Sequence, residues 1–270
     1  MTTTQDVVVI TGGGSGMGLA AARLMGDAHV VLAGRTAAKL DAAVAELAAA
    51  SVSASAFVVD VADEGAVCDL AAYASGIGPV RGVIHAAGLS PHQGTPEAVV
   101  RVNALGSLFV NDAFLDVLTP GGCVVDVSSM SAHLTPRLVL PRSAYPVARR
   151  DSEKFVRRVL ALVRLFPAHL RSSIAYGISK DFVVWLARTD AARFGERGLR
   201  VLSVSPGNVD TPIGDAEADR VAEYIDKGAI KRLGRPEEIA ELLAFCVTDK
   251  ASFITGTDIL CDGGLVAAVA

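Results

Sequence analysis

Asp6-Val7-Val8-Val9-Ile10-Thr11-Gly12-Gly13-Gly14-Ser15-Gly16-Met17-Gly18-Leu19-Ala20-Ala21-Ala22-Arg23-Leu24 stands near the N-terminus and decides how the rest of the chain is read. An unbroken β-branched apolar run suits a strand buried on both faces. Glycines at 12, 16 and 18 let the backbone turn tightly and let a pyrophosphate approach with no Cβ in the way. The helical pattern that follows would aim free N–H groups and a positive dipole end at the phosphates. A Gly-x-x-x-Gly-x-Gly turn means little alone, but a strand before it and a helix after it make it a dinucleotide signal. Gly12, Ser15, Gly16, Met17 and Gly18 are therefore candidate cofactor contacts.

Outward from this turn, strand and helix signals alternate to the end of the chain. Strands are expected at 6–11, 29–33, 55–60, 81–86, 122–128, 200–205 and 257–261. Helices are expected at 18–26, 37–50, 63–75, 95–118, 174–195 and 235–247. Such alternation predicts an α/β fold, a Rossmann-like, doubly wound, seven-stranded parallel sheet with helices on both faces. Ligands in such sheets sit at the carboxyl ends of the strands, where the strand order reverses. The 270 residues suit a single dinucleotide-binding catalytic domain over 1–270, with no internal repeat and no linker. A chain that is 51 % apolar and only 5 % aromatic fits a parallel sheet under Ala/Leu-rich helices.

Composition also narrows the function. A net charge of -4 offers no general attraction to nucleic acid. Cys68, Cys123, Cys246 and Cys261 are scattered, without metal-ligand or disulfide spacing, and read as buried thiols in a reducing compartment. The five histidines likewise lack ligand spacing, so no metal is expected. The chain enters its first strand without a charged-then-apolar leader, and no apolar run approaches the ~18 residues of a membrane span. A cytoplasmic protein is expected.

Tyr176-Gly-Ile-Ser-Lys180 carries the chemistry. Four residues of separation place a phenol and an ammonium on one helix face. A free tyrosine titrates near ~10, and a fixed cation beside it favours the phenolate. The end of the second strand reads Leu32-Ala33-Gly34-Arg35-Thr36, with no carboxylate to grip ribose hydroxyls. Arg35 can hold a 2′-phosphate, which favours NADP(H) over NAD(H), although NAD(H) stays possible. The glycine turn itself carries no second basic residue.

The two motifs, in this order and at this separation, resemble the short-chain dehydrogenase/reductase family over essentially the whole chain. The resemblance adds further positions in family order. It implies adenine contacts at Asp60 and Val61, a cofactor loop at Ala87 and Gly88 after His85, and a catalytic asparagine at Asn103. It implies a catalytic serine at Ser129, and a nicotinamide-packing segment containing Pro206, Gly207, Val209 and Thr211. Tyr176 would act as general acid/base, and Lys180 would lower its pKa and hold the nicotinamide ribose. Ser129 would bond the substrate oxygen, and Asn103 would hold a relay water. The implied activity is hydride transfer between a nicotinamide cofactor and a ketone or secondary alcohol. A catalytically silent dinucleotide-binding regulatory or scaffold protein is the alternative, and an epimerase or lyase a minor one. The resemblance also implies a homo-dimer or homo-tetramer.

Between Ser129 and Tyr176 stands a helical insertion at about 132–172. Its pattern predicts an amphipathic helix near 150–166, with Phe155, Val159, Leu162, Val163 and Phe166 on one face. Arg150, Lys154, Arg157, Arg158 and Arg164 lie on the other. A similar insertion occurs in bacterial 3α-hydroxysteroid dehydrogenase/carbonyl reductases, where it changes subunit association. Nine basic and two acidic residues give the segment +7. That charge fits a solvated face, pairing with an acidic body, or steering of an anionic substrate or acidic partner toward Tyr176.

Overall fold

A computed structural model describes residues 5–210 and 224–269. Seven parallel strands form one sheet, β1 (Val7–Thr11), β2 (His29–Gly34), β3 (Ala54–Val58), β4 (Val80–His85), β5 (Leu118–Val127), β6 (Arg200–Pro206) and β7 (Asp258–Cys261). Their order is β3-β2-β1-β4-β5-β6-β7, so the winding reverses between β1 and β4. That reversal opens a crevice at the carboxyl ends of the strands, above the glycine turn.

The side-chain alternation of a strand divides the core into two layers. Val7 and Val9 face one layer, with Val31, Val83, Val124 and Val201 from neighbouring strands. Val8 and Ile10 face the other, with Val30, Leu32, Ile84 and Leu202. The first layer is closed by α3 (Glu64–Ile77), α4 (Pro96–Val100), α5 (Gly106–Leu115) and α8 (Arg171–Gly195). The second is closed by α1 (Gly16–Ala22), α2 (Ala37–Ala49) and α9 (Pro236–Val247). A short α10 (Leu265–Val269) follows β7.

Several boundaries differ from the sequence expectation: α1 stops at Ala22 rather than 26, α5 at Leu115 rather than 118, and α8 begins at Arg171 rather than 174. β5 begins at Leu118, earlier than 122, because Gly121 takes a positive φ of 85° and Gly122 has no Cβ, so the strand passes a glycine pair. β3 ends at Val58, so Asp60 and Val61 lie on the loop beyond it, where Asp60 Oδ1 accepts from the Ala62 amide at 3.0 Å.

The expected 95–118 helix is one continuous rod, α4 and α5 joined by a π turn at Arg101–Leu105. Thr95 caps it by accepting from the Ala98 amide, and Pro96 occupies the first turn, where its missing N–H costs nothing. Pro96–Leu115 is also long and apolar enough, by length and composition, to cross a membrane. In this fold 72 % of that window is buried inside the protein, so packing in the first layer accounts for its apolarity.

The insertion is laid along this same layer. After α6 (Ser131–Leu134) come two 3₁₀ turns, then α7 (Ser152–Val163), capped by Asp151 Oδ1 on the Lys154 amide at 2.8 Å. Phe155, Val156, Val159 and Val163 are buried, whereas Leu162 and Phe166 are only half-buried. The covered stripe therefore runs through Val156 rather than Leu162, rotated from the expected face. Tyr145 is fully buried against Phe155, Phe182 and Trp185, with ring centroids 6.3, 5.2 and 5.5 Å away. Its hydroxyl donates to Asp181 Oδ2 at 2.8 Å. Arg142 and Arg149 reach Asp181 and Asp190 on α8, at 3.0 and 2.9 Å. Part of the cationic charge is thus spent on carboxylates of the body.

Candidate active site

The long α8 carries Tyr176 and Lys180 one turn apart, at the carboxyl edge of the sheet. Tyr176 is half-buried and borders a hollow of ≈ 410 Å³, together with Ser129, Met17, Pro206, Gly207 and Val209. Lys180 points inward and is 5 % exposed. Its Nζ lies 5.8 Å from the Tyr176 ring centroid and donates to the Val127 carbonyl at 2.8 Å. Burial pulls its ammonium down to about 8, while the Asp126 carboxyl acts in the opposite sense. Lys180 thus joins the end of β5 to the face of Tyr176.

Two serines end β5, and they divide the work. Ser128 is structural, since its hydroxyl donates to the Lys180 carbonyl at 2.8 Å and its amide to Val204 at 2.7 Å. Both serines border the hollow, but the Ser128 hydroxyl is committed to the Lys180 carbonyl, whereas Ser129 Oγ accepts from the Ser131 amide at 3.2 Å.

Asn103 sits in the π turn, a local widening that recurs at functional sites. Its Nδ2 donates to the Leu89 carbonyl at 3.0 Å and to Ser179 Oγ at 3.2 Å. Its Oδ1 accepts from the Leu89 amide at 2.8 Å. The side chain is therefore committed to fastening the Leu89 loop to α8. A relay water, if Asn103 holds one, falls to its main-chain carbonyl, which already accepts from Ser107 at 2.9 Å and has a second lone pair. Gly88 lies against both partners. A Cβ there would be 3.2 Å from Asn103 Oδ1 and 3.5 Å from Lys180 Nζ.

The second hollow runs along the ends of β1 to β4. Gly12, Ser15, Arg35, Asp60, Val61, Ala87 and Gly88 line it, as the sequence reading expects. The glycine turn is shaped as a cradle. Gly12 has φ +68°, and a Cβ on it would stand 2.9 Å from the Ala86–Ala87 backbone. A Cβ on Gly18 would stand 2.6 Å from the Gly12 carbonyl, so α1 can press on the turn only with glycine there. Gly16 (φ +55°) and Gly18 border neither hollow; they shape the turn. These features fit a bound dinucleotide on this side of the sheet. Thr211 lies outside the described residues.

The sequence reading passed over Lys39, on α2 one turn beyond Arg35, which lines the same hollow. Arg35 precedes the helix, whose cap is Thr36, so the two cations meet through the turn from β2 into α2 and not through helical spacing. His85 is a buried structural residue, with Nδ1 2.8 Å from Thr11 Oγ1, and burial presses it down to about 3, so it stays neutral. His133 Nε2 pairs with Asp258 at 2.8 Å, which raises it.

Comparison with known proteins agrees with this geometry. Residues 6–145 match the model of short chain dehydrogenases, and residues 164–266 match that of enoyl-(acyl carrier protein) reductases. The chain belongs to the short-chain dehydrogenase/reductase family. It is an enzyme family of oxidoreductases, and the residues between the two matches fall within the insertion. The short-chain dehydrogenase/reductase bsc3 of Alternaria brassicicola is 31 % identical, over 98 % of this chain and 97 % of its own. The 3-alpha-hydroxysteroid dehydrogenase/carbonyl reductase of Comamonas testosteroni is 32 % identical, over 68 % of this chain and 72 % of its own. The crystal structure of a short chain dehydrogenase from Burkholderia cenocepacia in complex with NADP superposes with a TM-score of 0.76. It shares 25 % identity and covers 96 % of each chain.

Proposed function

We propose that this protein reduces a neutral, largely apolar ketone, or oxidises the corresponding secondary alcohol, with NADP(H) preferred to NAD(H). The observation that carries this reading is the meeting of Tyr176 and Ser129 at one hollow, with buried Lys180 5.8 Å from the Tyr176 ring centroid, beside a glycine cradle shaped for a dinucleotide. When bound, the nicotinamide supplies or accepts the hydride. Tyr176 gives a proton to the carbonyl oxygen in reduction and takes it back in oxidation. Lys180 favours the phenolate through its charge and would hold the nicotinamide ribose. Ser129 donates to the substrate oxygen as negative charge develops there. The main-chain carbonyl of Asn103 would hold the relay water. All of these groups stand at one site, which favours an enzyme over a silent binding protein.

Met17, Pro91, Met130, Leu134, Leu170 and Ile174 supply the apolar wall of the hollow. No charged side chain of the described residues lines it, which favours a neutral substrate over an anionic one. Arg35 and Lys39 at the second hollow support the NADP(H) preference. The free thiols of Cys68, Cys123, Cys246 and Cys261 support a cytoplasmic, reducing location. We read the chain as one domain that forms a homo-oligomer, with the insertion shaping the subunit contact. The deciding experiment is turnover on a panel of neutral ketones by wild type and Tyr176→Phe. The variant should lose nearly all turnover and keep its cofactor affinity; substantial residual turnover would refute the assignment.

A further inference from the structure

Among the described residues, four buried side-chain atoms lack a hydrogen-bond partner, His85 Nε2, Asn111 Oδ1, Asp126 Oδ1 and Arg193 Nε, and register and hydrogen bonds link their residues into one group. Asp126 lies inside β5 with no exposure to solvent. It stands in register with His85 on β4 and with Ser203 on β6, and in-register partners on parallel strands share a face. On that face Asn111, from α5, donates Nδ2 to Asp126 Oδ2 at 3.1 Å. From α8, Lys180 Nζ reaches β5 beside Asp126, donating to the Val127 carbonyl at 2.8 Å, and Asp190 Oδ2 accepts from the same Asn111 Nδ2 at 3.4 Å. Ser203, on the same face, donates its hydroxyl to Asp258 Oδ1. Burial pushes the Asp126 carboxyl up to about 8, with Asp190 adding to the effect and Asn111 and Lys180 opposing it. Asp190 is itself paired with Arg149 of the insertion at 2.9 Å and with Arg193 at 3.1 Å. The thiol of Cys123, also on β5, feels the Asp126 charge.

We propose that Asp126 is a positioning residue for the reaction, a buried acid that keeps Lys180 an ammonium as the pH rises. The inference rests on the roles given to Tyr176 and Lys180 above. Asn111 Oδ1 is an acceptor that lacks a donor, and His85 Nε2 is a second one in the tautomer whose Nδ1–H goes to Thr11. A proton on Asp126 supplies one. As the pH rises, the buried pair must give up a proton to solvent. Taking it from Lys180 leaves a neutral amine beside a neutral acid. Taking it from Asp126 leaves an ammonium and a carboxylate, which attract strongly away from water. The first proton therefore leaves Asp126, and the new carboxylate holds the second proton on Lys180. Tyr176 keeps its cation over a wider pH range than Lys180 alone would allow.

The test is Asp126→Asn, which keeps the shape and an acceptor for Asn111 but cannot ionise. Two readouts are taken. With ¹⁵N-labelled lysine in the cofactor-free protein, the Lys180 signal, identified by its loss in Lys180→Arg, should titrate on the order of one pH unit lower in the variant. The alkaline limb of kcat/KM for ketone reduction should move down by a similar interval, with neutral-pH activity nearly kept. A merely structural role would lower the rate equally at every pH. Superimposable Lys180 titrations overturn the proposal, even if Tyr176→Phe is dead and the oxidoreductase reading stands. Conversely, absence of turnover in the wild type defeats that reading and leaves the titration to be judged by itself. Should Asp126→Asn fail to fold, ¹³C-carboxyl labelling of the wild type decides. One aspartate must titrate late, before Lys180; loss of the Lys180 proton first overturns the inference.

Discussion

Cofactor choice follows from two cations that the fold brings to one hollow. Arg35 leaves the end of β2, and Lys39 stands one turn into α2; both line the space bounded by Gly12, Ser15 and Asp60. No residue at the end of β2 supplies the carboxylate that would prefer a free 2′-hydroxyl, since Gly34 occupies that place. A hydrogen bond to a charged group contributes about 1.5–3 kcal/mol. Both side chains are exposed, so water and salt screen them and the lower end of that range applies to each. About 1.4 kcal/mol is tenfold in affinity. Arg35→Ala should therefore weaken NADPH binding about tenfold, and Arg35→Ala with Lys39→Ala up to about a hundredfold. NADH, which has no 2′-phosphate, should bind within about twofold of wild type in both variants, because neither cation then has a partner to lose. Fluorescence titration with each cofactor, repeated at low and high salt, measures this directly. Tighter binding of NADH than NADPH by the wild type would refute the reasoning, as would equal losses for the two cofactors.

Stability should report on the insertion and on the buried acid. Tyr145→Ala removes a fully buried ring at the junction of Phe155, Phe182 and Trp185, and should cost about 3–5 kcal/mol in urea unfolding. Tyr145→Phe keeps the ring and loses the hydroxyl's contacts with Asp181 and the Ile178 carbonyl, so about 1–2 kcal/mol is expected; a loss under about 1 kcal/mol in Tyr145→Ala would mean the insertion does not pack on α8. The pH dependence has a definite sign. Asp126 is raised from 3.8 in the unfolded chain to about 8, so its contribution to stability is fully present below pH ~4 and is lost as the pH rises through about 8. Lys180 is lowered from 10.5 to about 8, so its burial penalty is fully present below about 8 and is relieved as the pH rises toward ~10.5. Melting temperature should accordingly fall between pH 5 and 8 in the wild type and stay flatter in Asp126→Asn; a constant gap between the two curves over that window would contradict it.

Much of this architecture was legible from local pattern. The β-branched run 7–10, the glycines after it and the Tyr176–Lys180 spacing each act over a few residues, and each stands where the pattern placed it. Lys39 was missed because cofactor choice was sought inside the glycine turn and at the strand end, and its approach to Arg35 depends on how the chain turns from β2 into α2. Asp126 was missed for a different reason. A single acid within Val-Val-Asp-Val reads as an interruption of a strand, and nothing local says that Asn111, His85 and Lys180 converge on it. Those partners come from α5, β4 and α8, and their meeting depends on sheet register.

The insertion shows the same limit in its charges. An amphipathic pattern says that one face must be covered, not by what, and the +7 count left open which arginines face water and which pair with an acidic body. Arg142 and Arg149 meet Asp181 and Asp190, which are 2 % and 1 % exposed; losing Arg142 leaves Asp181 buried without its cation, and losing Arg149 leaves Asp190 with Arg193 alone. The same helix carries Tyr176 and Lys180, and the insertion's Tyr145 and Phe155 cover its Phe182. Removing residues 136–168 would therefore strip both carboxylates of these arginines and uncover two aromatic rings on α8. A change in assembly seen after such a deletion could arise from a damaged catalytic helix as readily as from a lost subunit contact. Charge reversal at exposed Arg150, Arg157 and Arg158, which bear none of these pairs, separates the two effects while leaving α8 covered.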